Sequence, residues 1–111
     1  MGLSWVPLLA STVLPSSCSR SCQDYAAAAL TVGVTEASGA PICDAEVVAT
    51  DGSDEFVLEP SGCSYAGAYE RPGTYVVRVS YRSRSIVSET ISVPSGACHV
   101  KSQRVDLTLP A

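Results

Sequence analysis

The side chains able to do chemistry in this 111-residue chain are one histidine, His99, five cysteines, and a run of acids at Asp51, Asp54, Glu55 and Glu59. A lone imidazole works as a general base only where a nucleophile and an orienting acid meet it. A Ser-His-Asp triad would have to use His99, and no Gly-x-Ser-x-Gly elbow is there to raise a serine toward it. The acids have the chemistry for calcium, which takes about six to eight oxygens from a converging loop. Asp51-Gly52-Ser53-Asp54-Glu55 is a short turn with too few carboxylates, and it reads better as a solvated hairpin tip. Cys98 and His99 do not make a metal pair, because neighbours on a strand point to opposite faces. No catalytic, cofactor or metal assignment follows from these groups, and a non-catalytic chain is expected. The alternative is a small metal-dependent accessory or enzyme that uses His99 and the acidic 51–59 turn.

Charge excludes a further class. The formal net charge is −4, and the seven basic residues (Arg20, Arg71, Arg78, Arg82, Arg84, Lys101 and Arg104) are scattered. Nucleic-acid binding needs a basic stripe to track phosphates, and none is expected here. Arg78, Arg82 and Arg84 can share part of one sheet face, without aromatic residues interleaved among them.

The N-terminus reads as an address. Met1 to Leu14 is uncharged and mostly apolar. It is too short for a membrane-spanning helix, which takes ~20 apolar residues, and it matches the length of a signal-peptide core. Pro15-Ser16-Ser17-Cys18 follows, small residues before a cysteine, which resembles the bacterial lipobox. Leu14 stands one residue too early for that pattern, and the basic segment that opens an export signal is missing. The expectation is a lipoprotein-type signal over residues 1–17, acylation at Cys18, a tether over 18–29 and a folded domain over 30–110. Export to an oxidising compartment fits the cysteine content.

The elements that must position these groups are strands. In Arg71-Pro72-Gly73-Thr74-Tyr75-Val76-Val77-Arg78-Val79-Ser80-Tyr81 a Pro-Gly turn feeds strict alternation. Tyr75, Val77, Val79 and Tyr81 line one face, the signature of a half-buried antiparallel strand. Gly73 can take a positive φ where such a turn calls for one. Tyr75 can bury its ring while its hydroxyl finds a backbone partner near the strand end. Six other strands are read in the same way: Leu30 to Thr35, Ile42 to Thr50, Glu55 to Glu59, Cys63 to Tyr69, Ser85 to Val93 and Val100 to Leu109. Asp51-Gly52 marks a hairpin between the second and third. The strand over Ser85 to Val93 is ragged, since Ile86, Val87, Ile91 and Val93 do not fall on one face. The pattern predicts an all-β, seven-stranded antiparallel two-sheet sandwich.

Gly39-Ala40-Pro41, Asp44-Ala45-Glu46-Val47, Asp51-Gly52, Gly67 and Pro72-Gly73-Thr74-Tyr75, in that order, resemble the carboxypeptidase regulatory-like domain. The resemblance runs from about Leu30 to Leu109 and implies a transthyretin-like (prealbumin-like) sandwich. Pro41-Ile42-Cys43-Asp44-Ala45 and Cys98-His99-Val100 look like a bacterial lipoprotein subgroup. Such domains are usually non-catalytic modules with stabilising, adhesive, or protein- and carbohydrate-contacting roles. Hydroxyisourate hydrolases and intradiol dioxygenases use related sandwiches, but both need more histidines than the one present.

An odd number of cysteines asks that one be used differently. With Cys18 lipidated, Cys22, Cys43, Cys63 and Cys98 remain. If successive strands alternate in direction, the first and seventh both start at the bottom, after Cys22 and Cys98. The second and fourth both start at the top, beside Cys43 and Cys63. Bridges Cys43–Cys63 and Cys22–Cys98 are therefore expected. The resulting picture is a monomer in the bacterial cell envelope, held to a membrane by lipid alone. Its partner is an envelope protein or polysaccharide, and a soluble periplasmic or secreted form is the alternative.

Overall fold

The structure is a computed structural model that describes Cys22 and residues 24–111. The export signal expected over residues 1–17, and Cys18, lie outside the described residues. The described chain is built of strands and turns: β1 Ala28–Thr35, β2 Glu46–Asp51, β3 Asp54–Val57, β4 Glu59–Ser61, β5 Ser64–Tyr69, β6 Gly73–Tyr81, β7 Arg84–Val87, β8 Ile91–Val93 and β9 Gln103–Thr108. They form two sheets. One has the order β4-β5-β1-β9; the other has the order β3-β2-β6-β7, with β8 also paired to β6. Between the sheets lies a core of Leu30, Val32, Val34, Val47, Ala49, Tyr65, Tyr75, Val77, Val79, Val93 and Leu109, each at most 2% exposed. Alternation explains it: Tyr75, Val77 and Val79 are fully buried, whereas of the residues between them Arg78 is exposed and Val76 half-buried.

The expectation of seven antiparallel strands needs correcting in two respects. The described residues hold nine strands, because two expected strands are each divided. The strand expected over Glu55 to Glu59 breaks at buried Leu58, where the chain passes from one sheet to the other. The Leu58 N–H still bonds the Val47 carbonyl (2.9 Å), while Glu59 already pairs with Ala66. The ragged strand over Ser85 to Val93 breaks at Ser88 to Thr90. Its halves β7 and β8 pair with opposite ends of β6, Tyr81↔Arg84 at one end and Gly73↔Val93 at the other. That break accounts for the lost alternation. The second correction is to strand direction, since β9 runs parallel to β1, Leu30↔Gln103 through Thr35↔Thr108. Strands that start at the same end and become neighbours must pair in parallel. The β1–β9 sheet is therefore mixed.

Several boundaries also move. The first strand starts at Ala28 rather than Leu30, with Ala29 fully buried against the core. The second begins at Glu46, and the segment before it is held differently. The Tyr65 hydroxyl, fully buried, donates to the Ile42 carbonyl (2.7 Å) and accepts from the Ala45 N–H (2.9 Å). On β5, Tyr65 and Gly67 face inward as the alternation requires, but Tyr69 does not and is 52% exposed. The cause is Ala68, whose φ of 56° resets the phase and turns its own methyl inward.

Three two-residue hairpin turns, between β2 and β3, β4 and β5, and β6 and β7, share one backbone device. Their first central residues are Gly52, Gly62 and Arg82, with φ of 64°, 65° and 57°. Glycine adopts this region at no steric cost; arginine does not. Gly73, which can take a positive φ, is not among the residues that have one. Its requirement is space: a Cβ there would overlap the Asp51 carboxylate and press on the Arg71 guanidinium.

Candidate functional site

The residues singled out in the sequence fall into three places. Cys22 is bonded to Cys98 and Cys43 to Cys63, with Cα–Cα distances of 5.3 and 4.2 Å. The first bridge sits where β1 and β9 begin side by side, since Ala28–Thr35 and Gln103–Thr108 run the same way. The second ties the Ile42–Ala45 segment to the β4–β5 turn. The same segment is held from inside by the Tyr65 hydroxyl.

His99 belongs to a knot near the Cys22–Cys98 bridge. Its Nδ1 pairs with the Glu70 carboxylate, and its ring stacks on Tyr25 at 4.2 Å between centroids. Glu70 also accepts from the Ala27 N–H (2.8 Å) and the Val100 N–H (3.2 Å). Those contacts, led by the Ala27 N–H and followed by His99, hold the Glu70 carboxyl below its ordinary pKa. Glu70 adopts a φ of 54°, and its own N–H bonds the Ala27 carbonyl (2.8 Å). The knot therefore joins the start of β1, the end of β5 and the loop before β9. Nothing in the sequence pointed to Glu70, because its partners lie 29 to 43 residues away.

The acidic turn is organised by Arg71. Asp51 and Asp54 are cross-strand partners at the end of the β2–β3 hairpin. Like charges placed directly opposite repel, so a cation is needed between them. Arg71 supplies it, at 2.8 Å from Asp51 and 2.9 Å from Asp54. The same guanidinium lies 4.8 Å from the centre of the Phe56 ring and 3.2 Å from the Tyr75 hydroxyl. The hydrogen bonds that the Arg71 guanidinium donates to Asp51, then to Tyr75, push its pKa further up. Tyr75 donates in turn to the Arg71 carbonyl (2.6 Å), the strand-end backbone partner expected for its hydroxyl. The signal for this arrangement was present: two aspartates flanking a two-residue turn must share a face.

Glu55 and Glu59 remain outside that network. They line, with Phe56, Val57, Gly67, Ala68, Tyr69 and Arg71, a groove of about 480 Å³ between the edges of the two sheets. Val57 is 64% exposed and Tyr69 52%. The groove is thus lined by apolar side chains together with the carboxylates of Glu55 and Glu59 and the Arg71 guanidinium.

Elsewhere, Arg82 and Arg84 flank the Tyr81 ring at 4.8 and 5.7 Å. Arg84 is also paired with Glu36 (2.8 Å), and that hydrogen bond holds the Glu36 carboxyl below its ordinary pKa. Arg78 stands apart on the outer sheet face. Among the described residues no three His, Cys, Asp or Glu side chains are grouped to hold a metal ion. Compared with known proteins, the chain matches no family model, no curated protein and no solved structure.

Proposed function

We propose that this chain is a non-catalytic module that works outside the reducing cytosol, at a bacterial envelope, as a rigid scaffold that contacts another macromolecule. The observation that carries the reading is the pair of bridges, Cys22–Cys98 and Cys43–Cys63, in a domain of this size. Disulfides persist in oxidising compartments, and a small sandwich with a thin core gains most from them. In this reading Cys18 carries the lipid, residues 1–17 direct export, and the domain belongs with the carboxypeptidase regulatory-like sandwiches that its turn motifs resemble. The side chains of the alternative reading are engaged with different partners: His99 with Glu70 and Tyr25, Asp51 and Asp54 with Arg71. That engagement supports a structural use of both sets.

Metabolic labelling with a radioactive fatty acid tests the proposal. The full chain, expressed in a bacterium with its own N-terminal segment, should take up label and sediment with membranes. Cys18→Ser should do neither. An unlabelled wild-type chain recovered from the cytosol with reduced cysteines would contradict the reading.

A further inference from the structure

The β3 edge and the groove beside it have the chemistry of a peptide-docking site. β3 is the end strand of its sheet and, among the described residues, pairs only with β2. In an antiparallel pair, alternate residues turn their N–H and C=O toward the partner strand. The bond from the Leu58 N–H to the Val47 carbonyl sets the phase. Phe56 and Asp54 therefore face β2 with their backbone groups, and Glu55 and Val57 face away from it. Glu55 presents its N–H and C=O and Val57 its N–H, with no ladder on that side among the described residues, while the Val57 carbonyl lies close to Gly67 of β5. An open edge of this kind is a template for an added strand.

The side chains around that edge state what the added strand should carry. The groove offers Phe56, Ala68 and Tyr69 for an apolar residue. Its lining also carries Glu55 and Glu59, both exposed and without an ion pair among the described residues. Arg71, the cation that lines the groove, is already held by Asp51 and Asp54. The surroundings are therefore net negative. A second copy of this chain would set Glu55 and Glu59 against their own kind, which disfavours edge-to-edge dimers. A basic partner meets complementary charge.

We infer that the β3 edge captures an extended, basic segment of another protein, added as a sixth strand beside β3 to the sheet of β3, β2, β6, β7 and β8, with one apolar side chain in the groove and Lys or Arg side chains on Glu55 and Glu59. The inference rests on the contact-module reading above and gives that module its partner chemistry.

The test uses the full chain and a fluorescent hexapeptide of alternating lysine and valine, with an alternating glutamate–valine peptide as its counterpart. Binding is read by anisotropy, and its location by amide hydrogen exchange. The basic peptide should bind, and it should slow exchange at Glu55 and Val57. Glu55→Lys combined with Glu59→Lys should weaken it at least tenfold. Val57→Pro should do the same while leaving the β2 ladder and the melting temperature in place, because the lost N–H faces outward. Equal binding of the acidic peptide would overturn the inference. So would protection confined to another edge such as β9, indifference to Val57→Pro, or self-association through β3 in place of peptide binding. A chain that is lipidated yet ignores the peptide refutes this inference and leaves the module reading intact; an unlipidated cytosolic chain refutes the module reading whatever the peptide does.

Discussion

Tyr65 offers the sharpest energetic prediction. Its ring is fully buried, and its hydroxyl makes two bonds to a segment that has no strand of its own, to Ile42 O (2.7 Å) and from Ala45 N (2.9 Å). Tyr65→Phe keeps the ring and deletes both bonds. The Ile42 residue is only 3% exposed, so its carbonyl loses its inward partner with little access to water. Leaving such a group unsatisfied costs about 1–3 kcal/mol, and the half-buried Ala45 N–H adds somewhat less. The expected loss is about 2–3 kcal/mol, or about 10–20 °C in melting temperature for a domain of this size. Urea denaturation followed by far-ultraviolet dichroism measures it. The cost should fall to about 1 kcal/mol when Cys43 and Cys63 are both alanine. Without the bridge, the Ile42–Ala45 segment is free to turn its backbone to water, so the two changes are coupled rather than additive. A loss below about 0.5 kcal/mol for Tyr65→Phe in the bridged protein would refute the reasoning, since a buried carbonyl cannot lose its partner so cheaply.

Other consequences are as direct. Removing the Cys22–Cys98 bridge, whose sequence separation is 76, should cost about 4.5 kcal/mol by loop entropy, and removing Cys43–Cys63, separation 20, about 3 kcal/mol; urea midpoints of the two double-alanine variants should rank in that order. Arg82→Gly should raise the melting temperature by a few degrees, about 0.5 kcal/mol, as relief of the positive φ exceeds glycine's added chain entropy and the lost contact with Tyr81. The depressed carboxyls of Glu70 and Glu36 contribute stability that is present above their unfolded value of 4.5 and is lost as pH falls through their folded values. Urea midpoints should therefore be flat above about pH 5 and decline below it, and Glu70→Gln should lower the plateau and shallow that decline.

The alternating segments could be read from sequence because their burial is local. Tyr75, Val77 and Val79 announce their face in the chain itself, and so did the hairpin at Asp51-Gly52. The break in the ragged strand was visible as lost alternation, though its reason, pairing with two ends of β6, was not. Positions set by long-range partners were silent. Ala68 and Glu70 adopt a left-handed backbone that no glycine advertised, and this carried Tyr69 to the surface against its apparent phase. Gly73 was assigned to chain reversal when its role is to leave room for Asp51 and Arg71. The groove escaped notice for the same reason. Its walls come from β3, the first residue of β4, β5 and Arg71 two residues past the β5 end, and only the sheet order brings them together.

Two covalent staples closing a two-layer β-domain underlie both the fold and its proposed use. Peptide mapping by mass spectrometry, on protein alkylated under native conditions and digested without reduction, tests them most directly. The expected products are one linked pair containing Cys22 and Cys98 and another containing Cys43 and Cys63. Alkylated Cys43 and Cys63, or a linked pair joining Cys22 to Cys43, would contradict the assignment.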